Sequence, residues 1–194
     1  RDRLVEYRHA LLGTVRTAAR ANRRLVFLSS MVVYGDGGPG TEPIDERTPA
    51  TTELEPAAQA FGAAERVVLE SPHSTVLRLP DVVGHPSDLD DTALLSFAHE
   101  HFGGAVPFSA DALLYRVDYR DAAAAAAFVV DSGLTGVYNA VPDAVVPQRT
   151  GTAFDKLAAD AGLPPLEFRG DVKTPTRPIS SARLRSAGFS FGYG

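Results

Sequence analysis

Leu25-Val-Phe-Leu-Ser-Ser-Met-Val-Val-Tyr-Gly-Asp36 decides the fold. From Leu25 to Ser29 it is apolar and partly β-branched, the pattern of a parallel strand buried on both faces. Directly before it, Leu4, Tyr7, Leu11, Val15, Ala18 and Ala19 form a helical stripe with Arg and His on the other faces, which predicts an amphipathic helix from Asp2 to about Asn22. A helix feeding straight into a buried strand is one half of a βαβ unit.

The alternation continues outward from this stretch. Asp36 to Thr52, rich in Gly, Pro, Thr and acids, reads as a surface loop. Ala57 to Ser71 reads as a helix, with Pro56 at its start and Pro72 ending it. Thr75 to Leu79 is a second buried strand and Gly136 to Val141 a third. Asp90 to about His101, Thr152 to Ala161 and Ser180 to Ser186 read as further helices, the first stopped by Gly103-Gly104. Asp121 is expected to cap a helix that runs through Ala122 to Ala127. Strands alternating with helices give an α/β class with a mainly parallel sheet. The sequence shows no internal repeat.

Composition narrows the function classes. With 194 residues and 44% hydrophobic content the chain supports one domain with a sizeable core, and excludes disorder, collagen and coiled coil. A net charge of -5 with scattered arginines speaks against nucleic acid or an anionic membrane as partner. The lack of cysteine rules out disulfides and thiolate metal sites and suits a reducing cytoplasm. No apolar run approaches the roughly 20 residues of a membrane span. The expectation is a soluble, cytoplasmic chain. Because it opens on Arg1 in the middle of helical sequence, it is also expected to be part of something longer.

Five segments in order resemble the extended short-chain dehydrogenase/reductase superfamily, in particular its NAD-dependent epimerase/dehydratase group. Ala10-Leu-Leu-Gly-Thr14 is similar to the family's Asn-x-x-Gly-Thr, and Ser29-Ser-Met-Val-Val-Tyr-Gly35 to its Ser-Ser-x-x-Val-Tyr-Gly. Leu77-Arg-Leu-Pro-Asp-Val-Val-Gly84, Tyr119-Arg-Asp-Ala-Ala123 and Gly136-Val-Tyr-Asn139 match its later motifs. The resemblance implies a Rossmann-like, doubly wound, mainly parallel sheet that lacks its first strands, with residues 1–85 as the remaining Rossmann-like part and residues 86–194 as the last sheet strand or strands and a small C-terminal α/β substrate-side region, not an independent domain. It implies a nicotinamide cofactor, NAD or NADP, and a hydroxyl- or carbonyl-bearing small molecule such as a nucleotide sugar. It also implies a homodimer through helices 2–22 and 57–71, or a heteromer with an active homologue.

Its chemistry needs a Tyr as proton donor or acceptor and a Lys four residues on, which lowers the Tyr pKa and holds the ribose. A Ser orients the substrate oxygen and an Asn supports a relay water. Aligning Pro56 and Ala63-Ala-Glu65 with the family puts Ala57 at the Tyr and Phe61 at the Lys, and the Asn falls on Ala10. An alternative register puts Phe61 at the Tyr and Glu65 at the Lys. Only Ser30 of the four is retained. The glycine turn that grips the dinucleotide has no counterpart either, since Gly35-Asp-Gly-Gly-Pro-Gly40 does not open a helix. Without the strands that flank it in the family, Leu25 to Ser29 would expose an apolar edge.

By the same resemblance Leu79 and Pro80 approach the cofactor, and Tyr34, Asp81, His85 and Arg116 line the substrate side, with simple packing, turn capping or exposed ion pairs as the competing readings. Arg116 and Arg120 would face a phosphate. Arg78, inside an apolar strand, requires a buried partner or a ligand anion, and Glu65 or Glu70 on the neighbouring helix is available as the partner. His99 and His101, two apart on a helix, point to different faces and do not make a metal site. Ser87 to Asp91 reads as a helix start. The expectation is a pocket used for ligand binding, as a partner subunit, or for a non-redox reaction. Two readings stay open beside it: an active NAD(P)-dependent epimerase, dehydratase or reductase, and a purely structural, dimerising protein.

Overall fold

The computed structural model describes residues 2–21, 24–49 and 56–193, with the side chains of residues 2–4 and 56–57 outside the described set. Helix α1 (Asp2–Ala21) leads into strand β1 (Val26–Ser30) and a 3-10 helix, Met31–Tyr34. Then follow α2 (Pro56–Leu69), β2 (Thr75–Leu79), β3 (Asp81–Val83), α3 (Asp91–Phe102), β4 (Ala105–Val106), β5 (Arg116–Asp118), α4 (Tyr119–Asp131), β6 (Gly136–Asn139), α5 (Thr150–Ala161), β7 (Glu167–Phe168) and α6 (Ala182–Ser186). Asn22 and the expected loop end, residues 50–52, lie outside the described residues.

The three strands expected from sequence form one parallel sheet in the order β1-β2-β6, with Leu28 opposite Leu77 and Leu77 opposite Tyr138. Period-two alternation sorts their side chains between two layers. Val76 and Val137 pack with Leu12, Val15, Ala64 and Val68 of α1 and α2. Leu77, Leu79 and Tyr138 pack with Ala122, Ala125 and Val129 of α4 and Leu184 of α6. Helices on both faces make the sheet doubly wound, and β2, buried at every position, is its centre. Each such fully buried Val or Leu side chain contributes roughly 1.5–3 kcal/mol relative to exposure. Strand β1 lies at the edge, where Leu28 is 48% exposed. Two small parallel sheets, β3-β5 and β4-β7, build a second lobe.

The glycine cluster after β1 is a turn system. Gly35, Gly37, Gly38 and Gly40 all adopt positive φ, and at Gly37 a Cβ would collide with Ile44, whose side chain is fully buried.

At the start of α4 the sequence reading needs correction. Asp118, not Asp121, caps this helix, its side chain accepting from the Arg120 amide at 2.8 Å. The helix begins three residues earlier than the alanine run suggests, so Asp121 falls in the first turn. There its buried carboxylate accepts the backbone N–H groups of Gly192 at 2.8 Å and Tyr193 at 3.0 Å and fastens the C-terminal segment. Arg120 stacks over the Tyr193 ring at 4.0 Å. Asp121→Ala is expected to lower stability by about 1–3 kcal/mol, the cost of two buried amides losing a charged acceptor. Urea denaturation and faster amide exchange at residues 192 and 193 check it.

Candidate functional site

In an open α/β sheet, ligands bind beyond the carboxyl ends of the strands. Ser30 ends β1, and Pro80 and Asp81 follow β2, so the sheet brings these three to one side. They line a cavity of about 820 Å³. Its opposite walls come from the second lobe: Leu94 and Leu95 of α3, Phe102, Phe108, Phe154 of α5 and Phe168 of β7. Most of this lining is apolar. The ionisable groups among the lining residues are Asp81, Tyr115, Arg116, Arg169 and Asp171.

The polar groups are largely engaged within the fold. Ser30 Oγ accepts the Val32 amide at 3.3 Å and caps the Met31–Tyr34 turn, which leaves its hydroxyl proton free to donate. Arg116 Nη1 meets Asp91 at 2.6 Å. Asp81 is open to solvent through the cavity yet sits among protein atoms that desolvate it, and this raises its carboxyl pKa, with Arg116 opposing. Tyr115 accepts the Ile179 amide at 3.0 Å, and burial pushes its phenol up.

Behind Ser30 runs a buried polar network. Arg78 Nε and Nη2 donate to Glu65 at 3.0 and 2.7 Å, and Ser29 Oγ donates to the same carboxylate at 2.6 Å. The Arg78 guanidinium lies 4.6 Å from the centre of the Tyr34 ring. The Tyr34 hydroxyl donates to Asn139 Oδ1 at 2.8 Å, and Asn139 donates onward to the Ser180 carbonyl at 3.0 Å. Burial raises the Tyr34 phenol, with the charge of Arg78 opposing.

Of the residues singled out in the sequence, Ser30, Pro80, Asp81 and Arg116 therefore meet at the cavity. The others do not. Tyr34 is completely buried behind it, and Leu79 belongs to the core under α4. His85 lies in an exposed turn, edge-on to Tyr119. Arg120 is taken up by Asp118 at 2.8 Å, and Ala10 is exposed on α1. His99 Nε2 meets the Pro164 carbonyl at 2.9 Å, and His101 packs on Phe97. On α2, Ala57 lies in the first turn and its side chain is outside the described residues. Phe61 packs against the Met31–Tyr34 cluster and 6.3 Å from Phe27. The register that equates Glu65 with a pocket lysine fails, because Glu65 is 3% exposed and turned to Arg78. The aromatic walls were not visible in the sequence. Of these, Phe168 lies on β7, which like its partner β4 is only two residues long.

No protein-family model and no curated protein matches the sequence. Solved structures do. A short-chain dehydrogenase/reductase superfamily protein from Agrobacterium tumefaciens with bound NAD superposes at a TM-score of 0.71 and 20% identity, over 95% of this chain and 68% of that one. RMD from Pseudomonas aeruginosa, complexed with NADPH, gives 0.61 and 24%, over 88% of this chain. Thermus thermophilus UDP-glucose 4-epimerase in complex with NAD gives 0.63 and 22%, also over 88%. This chain spans 62% and 60% of the length of the latter two. The fold is thus that of the extended short-chain dehydrogenase/reductases and epimerase/dehydratases, over part of its length.

Asp81 binds a proton more tightly folded than unfolded. Its contribution is therefore fully present below the unfolded carboxylate pKa and is lost as pH rises through the higher folded value. Asp81→Asn is expected to be more stable than wild type at pH 8 and to lose that advantage near pH 4. Paired thermal melts across this range check it.

Proposed function

We propose that this chain belongs to an epimerase/dehydratase-like protein that keeps the substrate pocket of its fold and has lost the Tyr/Lys proton-transfer chemistry. It acts by binding a small molecule, on its own account or as a partner subunit, or by a reaction that needs the Ser30 hydroxyl without hydride transfer. The observation that carries this reading is Phe61. Where the resemblance calls for an ammonium that lowers a phenol pKa and holds a ribose, a phenyl ring packs into the hydrophobic cluster under the cavity. A ring without a donor does neither task. The two phenols nearest this end, Tyr34 and Tyr115, are both raised by burial, which is the wrong direction for a general acid or base at neutral pH.

NAD and NADP are the cofactors carried by the structural neighbours. The residues described here at the strand ends, Ser30, Pro80 and Asp81, supply a hydroxyl and a carboxyl but no cation for a nicotinamide ribose. They do not fit the group as a redox site.

Restoring the two side chains tests the reading. The full-length protein is expected to show no NAD(P)-linked turnover of hydroxyl or carbonyl substrates. Ala57→Tyr with Phe61→Lys is expected to gain measurable turnover, followed as reduced-nicotinamide absorbance. Wild-type turnover that survives Ser30→Ala and is unaffected by changes at positions 57 and 61 would contradict it.

A further inference from the structure

We infer that the cavity takes a neutral, largely apolar ligand carrying one hydrogen-bonding head group, such as a planar polycyclic or aryl-alkyl ketone or alcohol, and not a sugar nucleotide. The inference rests on the reading that this cavity is the protein's ligand site.

A nucleoside diphosphate brings at least two negative charges, and in an apolar setting these need cations of their own. The lining offers two, and neither is free. Arg116 is paired with Asp91 at 2.6 Å and Arg169 faces Glu167 at 3.7 Å. Asp81 and Asp171 also face the cavity and would repel a phosphate. A diphosphate brought to Arg116 would have to share that guanidinium with Asp91, which already holds its Nη1, so it finds no cation of its own there. Arg120, the other cation the sequence pointed to, is held outside the lining by Asp118.

The apolar walls point the other way. Leu94 is 43%, Phe108 46% and Phe102 60% exposed, an unusual concentration of exposed large apolar side chains on one set of walls. An apolar ligand covering them removes that surface from water, and about 820 Å³ is within the roughly 300–1,000 Å³ range of small-molecule sites. The lining supplies hydroxyls rather than free charge for a polar head: Ser30 has a proton to donate, which suits a carbonyl or hydroxyl oxygen and requires no charge, and Thr174, also in the lining, holds an Oγ1 that is buried without a hydrogen-bond partner among the described residues.

Nile red, a neutral planar polycyclic ketone, is the probe, titrated into the full-length protein and followed by fluorescence. The expected result is saturable one-to-one binding that millimolar UDP-glucose does not displace. Leu94→Glu and Phe108→Glu, each placing a charge on an exposed wall position, should weaken it by about tenfold or more. Arg116→Gln should leave it within about twofold. Nile red binding indifferent to both wall substitutions would overturn the inference. So would micromolar UDP-glucose binding that is lost in Arg116→Gln. The outcomes separate the two readings. Wall-dependent Nile red binding in a protein that also turns over NAD(P) sinks the proposed function and leaves this inference standing. UDP-glucose binding without turnover does the reverse.

Discussion

A guanidinium inside the central strand is the constraint around which this molecule is arranged. Strand β2 is buried at every position, yet its fourth residue is Arg78. A charge there is tolerated only with a partner held in good geometry. Glu65 provides it with two hydrogen bonds, and Ser29 on the neighbouring strand occupies one oxygen of the same carboxylate. The three residues come from β2, α2 and β1, so the pair fastens the helix to both strands whose ends form the polar side of the cavity. Phe61 and Glu65 are four apart on one helix and share a face. Fixing Glu65 on the sheet therefore also fixes where Phe61 falls.

From Arg78 the network runs outward through the Tyr34 ring, the Asn139 amide and the Ser180 carbonyl, and ties the turn after β1 to β6 and to the C-terminal segment. These contacts engage Glu65, Ser29, Tyr34 and Asn139 behind the cavity, while Arg78 Nη1 stays buried without a hydrogen-bond partner among the described residues; burial raises the Tyr34 phenol and the contacts oppose it. What remains accessible is a weakly polar strand end, Ser30 and Asp81, facing a wall of leucine and phenylalanine.

How much of this was legible in the sequence follows from the range of the signals. Continuous apolar runs located β1 and β2 within a residue, but burial on both faces holds for β2 alone; β1 is an edge strand that leaves Leu28 exposed, because no strand covers its outer side among the described residues. Arg78 announced its need for an acid, and Glu65 was one of two candidates, since one helical turn separates it from the residues that face the sheet. Ser30, Pro80, Asp81 and Arg116 were named from the resemblance, which carries them to the ends of β1 and β2 and the start of β5. Tyr34 and His85 were not separable from these by sequence, since whether a loop residue faces the cavity or the core depends on how the loop is anchored. Gly37 against Ile44, with Asn139 holding the Tyr34 hydroxyl, decided this for Tyr34. The cap of α4 was misplaced because the alanine run hid the true start, while Asp121 serves a partner about 70 residues away. Contacts of that range, and two-residue strands such as β4 and β7, leave no periodic trace.

The claim that α2 is fixed for structure by Glu65 and Arg78 is tested most directly by a double-mutant cycle on the pair, read by urea denaturation. Glu65→Leu and Arg78→Leu are each expected to cost about 3–5 kcal/mol, because each strands a buried charge, and the double variant should recover much of that loss. Additive losses in the double variant, or single variants as stable as wild type, would contradict the account.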